Sequence, residues 1–200
     1  YITHQLYPVL PKRLRLLQPL ARAVHACIYK RYAEVWVPDY ADPSHNLSGE
    51  LSHGGRFDRR AKYIGPLSRF APIDTMLHNT TPFYTTQPNP TPPTHLALLS
   101  GLEPQRSIFE KEILQRYEHS SESLLLVRGK ISEPIVPSIS DTDLIHAAKH
   151  AHKIIARSGY STIMDLEALG VLHKAEFHPT PGQSEQEYLY AYLSLIPRTL

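Results

Sequence analysis

The feature that most constrains this chain is a pair of strand-to-helix corners lying close together near its C-terminal end. Ile154-Ile155-Ala156 is a short apolar run that enters Arg157-Ser158-Gly159 and continues as a helix over Ser161 to Leu169. Lys174 to Phe177 forms a second strand, which turns at Pro179-Thr180-Pro181-Gly182-Gln183 into a helix over Ser184 to Leu195. The same alternation begins upstream, with strands at His95–Ser100 and Ser123–Val127 and helices at Gln105–Tyr117 and Asp141–Ala151, the last capped by Ser140. Strand and helix alternating at this pace predict an α/β fold, a parallel sheet covered on both faces. Ligands of such sheets sit beyond the carboxyl ends of the strands. Three loops qualify: Ser100 to Pro104, Arg157 to Thr162, and Thr180 to Gln183.

The first part of the chain is less regular. Residues 1–5 read as the end of a buried strand. Pro11 to Tyr32 reads as helical, with Leu14, Leu17, Leu20, Ala21, Val24 and Ile28 at helical spacing and Pro19 placed to kink or split it. Short strands are expected at Ala33–Pro38 and Lys62–Ile64, with a loop over residues 39–60. Asn79 to Pro93 carries five prolines and no charge, a linker signature. The domain expectation is therefore 1–72, a linker at 73–93, and 94–200. Tyr1 falls within a strand pattern, so the chain reads as a fragment whose N-terminal part lies upstream.

Composition excludes several classes. A net charge of +2 makes no case for nucleic acid, which needs a concentrated basic patch. Cys27 is the single cysteine, so no internal disulfide forms, which suits a reducing compartment. No apolar run reaches the ~18–20 residues of a membrane span. No His, Cys, Asp or Glu set has metal-ligand spacing, and no Gly-x-Ser-x-Gly nucleophile elbow occurs. Asn46-Leu47-Ser48 and Asn79-Thr80-Thr81 match the glycosylation pattern, read as chance without a secretory signal.

Several residues carry both a chemical and a structural reading. The turn Ser158, Gly159, Tyr160, Ser161 and Thr162 opens a helix whose unpaired N–H groups suit a diphosphate; a capped tight turn looks the same. Asp165, one turn on, suits ribose hydroxyls or simply the helix dipole. Gln183, Gln186 and Glu187 suit a sugar or a solvated helix start. Ser100-Gly101 reads as a second phosphate-facing loop or an ordinary turn. Arg128-Gly129 reads as a pocket lining or an exposed arginine. Among twelve histidines, His4 and His53 stand near strand ends. Lys12, Arg13, Arg15, Arg22, Lys30 and Arg31 make the helix near the N-terminus basic and amphipathic, fit either to meet an anionic membrane or to cover a sheet with its charges solvated.

Arg157-Ser158-Gly159-Tyr160-Ser161-Thr162 followed by Pro181-Gly182-Gln183-Ser184-Glu185-Gln186-Glu187-Tyr188 resembles the donor-binding half of glycosyltransferase family 28. The likeness is strongest to a mainly bacterial branch that shares these two signatures. It extends to Thr3-His4-Gln5, Asn46 to His53, Tyr63 to Phe70 and Leu99 to Arg106, so it covers most of the chain. The resemblance implies the two-domain GT-B fold and a metal-independent, inverting transfer of N-acetylglucosamine from a UDP-sugar to an acceptor hydroxyl on a glycan or lipid-linked molecule. It implies no cofactor, and a cytoplasmic protein that is either soluble or peripheral at the inner face of the membrane. By position, Ser158 to Thr162 would contact phosphate and sugar, Asp165 stands at a ribose-binding glutamate, and Gln186 and Glu187 stand at two sugar-binding glutamines. Ser100 and Gly101 match a glycine-rich loop, Gly65-Pro66 the interdomain hinge, and His4 a histidine on the acceptor side. The family's N-terminal glycine-rich loop, with a candidate general-base histidine, is not in this sequence, so donor binding without turnover is expected of the isolated piece. A UDP-sugar epimerase of related fold and a non-catalytic nucleotide-sugar-binding protein are the competing readings.

Overall fold

The computed structural model describes residues 1–55, 60–70, 93–128 and 139–196. A 3-10 turn at Lys12–Leu17 leads into helix α1 (Gln18–Tyr29). Strand β1 (Val35–Val37), helix α2 (Glu50–His53) and strand β2 (Ala61–Tyr63) follow. The second part runs β3 (His95–Leu99), α3 (Gln105–Tyr117), β4 (Leu124–Arg128), α4 (Asp141–His150), β5 (Lys153–Arg157), α5 (Tyr160–Ala168), a 3-10 turn at Leu172–Lys174, β6 (Ala175–His178) and α6 (Ser184–Leu195).

β3 to β6 form a parallel sheet in the order β4-β3-β5-β6. The alternation of side chains along its strands explains why both faces are covered. Leu96, Ile154 and Ala156 join a core with Ile145 of α4, Ile163 and Leu166 of α5, and Leu189 and Leu193 of α6. Their neighbours Ala97, Leu99 and Ile155 point the other way, onto Phe109 and Ile113 of α3. α4 starts where it should. The Ser140 hydroxyl accepts from Asp143 N–H at 3.1 Å, and acidic residues in the first turn and basic ones in the last match the dipole.

β1 and β2 make a separate two-stranded parallel sheet. The strand expected at residues 1–5 is reduced to one bridge, Ile2 to Trp36, and Tyr1 and Ile2 are exposed rather than buried. Only the Tyr1 and Thr3 backbones reach Trp36, which is too few bonds to build a ladder. Pro19 does split the helical stretch. It sits in the first turn of α1, where a missing N–H costs nothing.

The loop expected at residues 39–60 contains α2, held by a buried carboxylate. Asp39, wholly buried, accepts from Tyr40 and Leu47 N–H on Oδ1 and from Ser48 N–H, Ser48 Oγ and Ser52 Oγ on Oδ2. Five donors suit an acceptor-only carboxylate. Gly49 begins α2 at φ +54°, against the rings of Tyr188 and Tyr192: a Cβ there would lie 2.4 Å from Tyr188 Oη. Leu47, Leu51 and Phe70 enter the same core as α4, α5 and α6. Of the Pro/Thr-rich stretch at 73–93, only Pro93 lies within the described residues.

Candidate functional site

The chain reverses its direction of travel across the sheet between β3 and β5, the point at which parallel α/β sheets open a crevice beyond the strand ends. β3 ends at exposed Ser100 and at Gly101, whose φ of +101° only glycine adopts freely. β5 ends at Arg157, followed by Ser158 and Gly159. A Cβ added at Gly101, Gly159 or Gly182 would meet nothing within 4 Å, so the space over all three corners is open.

The two C-terminal corners are adjacent, as the sequence suggested. Ser158 Oγ donates to the Gln186 carbonyl at 2.9 Å, and Arg157 Nη1 donates to the Pro179 carbonyl at 2.9 Å. No side chain caps α5, so its first-turn N–H groups keep their positive pole. Ser161 is exposed and Thr162 half-buried beside it. Tyr160 is buried instead: its hydroxyl donates to the Pro38 carbonyl at 2.7 Å, and burial pushes its pKa up. The structure thus gives Ser158 and Tyr160 structural bonds and leaves the open surface of the corner to Gly159, Ser161 and Thr162.

Arg157 heads the first corner and its motif, and sequence reading assigned it no role of its own. It is 5% exposed, its guanidinium lies 4.0 Å over the Phe109 ring, and Nη2 donates to the Gln105 carbonyl at 3.3 Å. Its buried Nε has no partner, and its two Nη hydrogen bonds end on backbone carbonyls, with no ion pair among the described residues. Burial lowers its pKa against the opposing field of Glu112. A buried cation that makes no ion pair among the described residues fits an anionic guest at the switch point. In sequence Lys153-Ile154-Ile155-Ala156-Arg157 only ends an inner strand on a cation, a pattern too common to single the residue out.

The remaining candidates hold one another. Gln186 Oε1 accepts from Thr180 N–H at 2.9 Å, Gln186 Nε2 donates to Gln183 Oε1 at 2.6 Å, and Glu187 Oε1 accepts from Gly182 N–H at 3.0 Å. These side chains shape the second corner. Asp165 accepts from Ser68 Oγ at 2.7 Å, and burial raises its pKa, with the Ser68 bond opposing. It therefore ties α5 to the 64–70 segment, where Leu67 N–H also meets Met164 Sδ. Arg128 pairs with Glu110 on α3. Gly129 lies outside the described residues.

His4 reaches the same corner from the other end of the chain. Its ring stacks on Tyr160 at 4.0 Å, and Nε2 lies 2.9 Å from Glu185 Oε1 at the start of α6. Gln5 Nε2 donates to the other Glu185 oxygen. Glu185, which sequence reading had not singled out, thereby orients His4. His53 lies elsewhere, stacked on Tyr63 and bonded to Ser52 Oγ at 2.6 Å. No group of three or more His, Cys, Asp or Glu among the described residues is placed to hold a metal.

An open cleft of about 530 Å³ lies along β6 and α6, lined in part by Glu176, His178, Tyr190 and Ser194. None of the sequence-derived donor residues lines it. Comparison of the chain with protein-family models, with curated proteins and with solved structures returns no match.

Proposed function

We propose that this chain carries the donor-binding half of a GT-B glycosyltransferase and that the crevice between β3 and β5 seats the diphosphate of a UDP-sugar. One observation supports the reading above the others. A buried arginine that makes no ion pair among the described residues lies between two open glycine corners at the topological switch point. The α5 N-terminus and Arg157 would both stabilise the charge that develops on the departing diphosphate. The reaction is displacement at the anomeric carbon: the acceptor oxygen bonds to it, and the bond to the diphosphate oxygen breaks with its electron pair leaving on UDP. In the tautomer that donates Nε2–H to Glu185, His4 keeps a free Nδ1 lone pair and would take the acceptor proton. Ser161, Thr162 and the 180–187 corner would border the sugar.

Titration calorimetry with UDP tests the seat. Saturable binding is expected, weakened at least tenfold in Arg157→Met, which keeps the apolar contact with Phe109. Ser161→Glu, at an exposed position, sets a carboxylate against the anion and is expected to abolish binding without unfolding the chain. Absence of UDP binding by the parent chain, or binding unchanged in both variants, removes the proposal.

A further inference from the structure

The C-terminal half of α4 carries two histidines that the donor site does not use. His146 and His150 are four residues apart, so they stand on one face of the helix. Their rings stack, with centroids 3.9 Å apart and planes 20° from parallel. His150 is exposed, and His146 is half-buried beside it.

The tautomer of His150 follows from its partner. Nδ1 lies 2.8 Å from the His146 carbonyl oxygen, which can only accept, so Nδ1 carries the proton and Nε2 keeps the lone pair. A ring N–H held by a backbone carbonyl is the bond that orients a metal-ligating histidine and makes its other nitrogen more basic. At His146, burial and then the neighbouring His150 lower the pKa against the field of Asp143. That ring is therefore neutral at pH 7, the form that binds a metal. The place also suits a cation. His150 ends α4, where the last carbonyls gather the negative pole of the helix. The Lys174 ammonium is drawn to the same pole and donates to the Lys149 carbonyl at 2.6 Å.

We propose that His146 and His150 chelate one divalent transition ion of the nickel, copper and zinc group, each through one ring nitrogen, with water in the remaining positions. Rotation of the side chains turns the two stacked rings onto a shared ion, at metal–nitrogen distances of about 2.0–2.1 Å. Imidazole selects these ions over Mg2+ and Ca2+, which take oxygen ligands. Two protein ligands make an open, exchangeable site rather than a closed structural centre. α4 ends where β5 begins, so the pair lies on the far side of the sheet from the crevice beyond the strand ends, and the inference stands apart from the UDP reading.

Titration calorimetry of the full chain with Ni2+ and with Zn2+ near neutral pH tests it, with Mg2+ as the comparison. Saturable binding of one ion per chain is expected for Ni2+ and Zn2+, and none for Mg2+. His150→Gln, at an exposed position, and His146→Gln should each lower the Ni2+ affinity at least about tenfold, because a single imidazole loses the advantage of the second, tethered one. His119→Gln, at an exposed histidine outside the pair, should bind as the parent does. Circular dichroism confirms that each variant folds. The proposal fails if the parent chain binds neither Ni2+ nor Zn2+ saturably, or if His150→Gln holds Ni2+ within about twofold of the parent. It also fails if His119→Gln loses as much affinity as the pair variants, because the ions then spread over the histidines at large.

Discussion

Asp39 is where one atom should decide the stability of the first half of the chain. Asp39→Asn keeps the shape of the side chain but turns one acceptor into an NH2 donor. At the Oδ1 position that donor would face the backbone N–H groups of Tyr40 and Leu47, both at 2.8 Å and neither able to reorient. At the Oδ2 position it would face one fixed N–H, that of Ser48 at 3.1 Å, and two hydroxyls. The Ser48 and Ser52 hydroxyls can rotate to accept, so the amide nitrogen takes the Oδ2 place and orphans only the Ser48 N–H. An unpaired buried donor costs about 1–3 kcal/mol. The surviving bonds lose their charge assistance, worth roughly another 1–2 kcal/mol after the recovered desolvation of the carboxylate is set against it. The expected loss is about 2–5 kcal/mol. Asp39→Ala strips all five bonds and should cost more than about 5 kcal/mol, enough to unfold a domain of ordinary stability. Urea titration followed by Trp36 fluorescence and far-UV circular dichroism measures both. An Asp39→Asn variant within about 0.5 kcal/mol of the parent, or an Ala variant no worse than Asn, would refute the reasoning.

Other perturbations follow from the same geometry. Gly49→Ala forces a Cβ onto Tyr188 and Tyr192 at a positive φ and should cost about 2–4 kcal/mol in a urea titration. Phe109→Ala removes a fully buried ring and the surface under Arg157, with an expected cost of about 3–5 kcal/mol by the same assay. Arg116, followed by Lys153 and His178, holds the Glu176 carboxyl down to about 2 from 4.5. The pairing therefore stabilises the chain above pH 4.5 and is lost as pH falls toward 2. Glu176→Gln should flatten that acid limb by about 1–2 kcal/mol, after screening at a partly exposed site, in thermal melts across the window. EDTA should leave UDP binding unchanged by calorimetry; a large loss would reveal a cation that the donor reading lacks.

The second half of the chain was legible because its signals are local. α3 and α6 begin and end where periodicity places them, and Ser140 caps α4 as its side chain predicts. The first half depends on contacts distant in sequence. α2 has only four residues, too few to stand by propensity, and forms because Asp39 gathers Ser48 and Ser52. The polarity of α1 was visible as a pattern, but its direction depends on partners at Pro8, Leu10 and Gly54 that no window around the helix contains. At the site, the two adjacent corners were readable from strand-turn-helix order. The division of labour within them was not. In sequence Ser158, Gln186 and Glu187 read equally as ligand contacts or as turn-shaping residues, and their hydrogen bonds in the fold show the second use. Arg157 stood at the head of the first corner without a role of its own, because a cation ending a strand is ordinary until its burial and its unpartnered Nε are known.

The absent side chain of Gly49 has a consequence for how sequences of this kind can drift. Its Cα faces two stacked tyrosine rings on α6, and Tyr188 Oη also accepts from the neighbouring Glu50 N–H at 2.6 Å. Positions 49, 188 and 192 are therefore one unit of variation. A homologue with a bulkier residue at the first must shrink or move the rings at the other two, and paired substitution at these distant sites would record that trade.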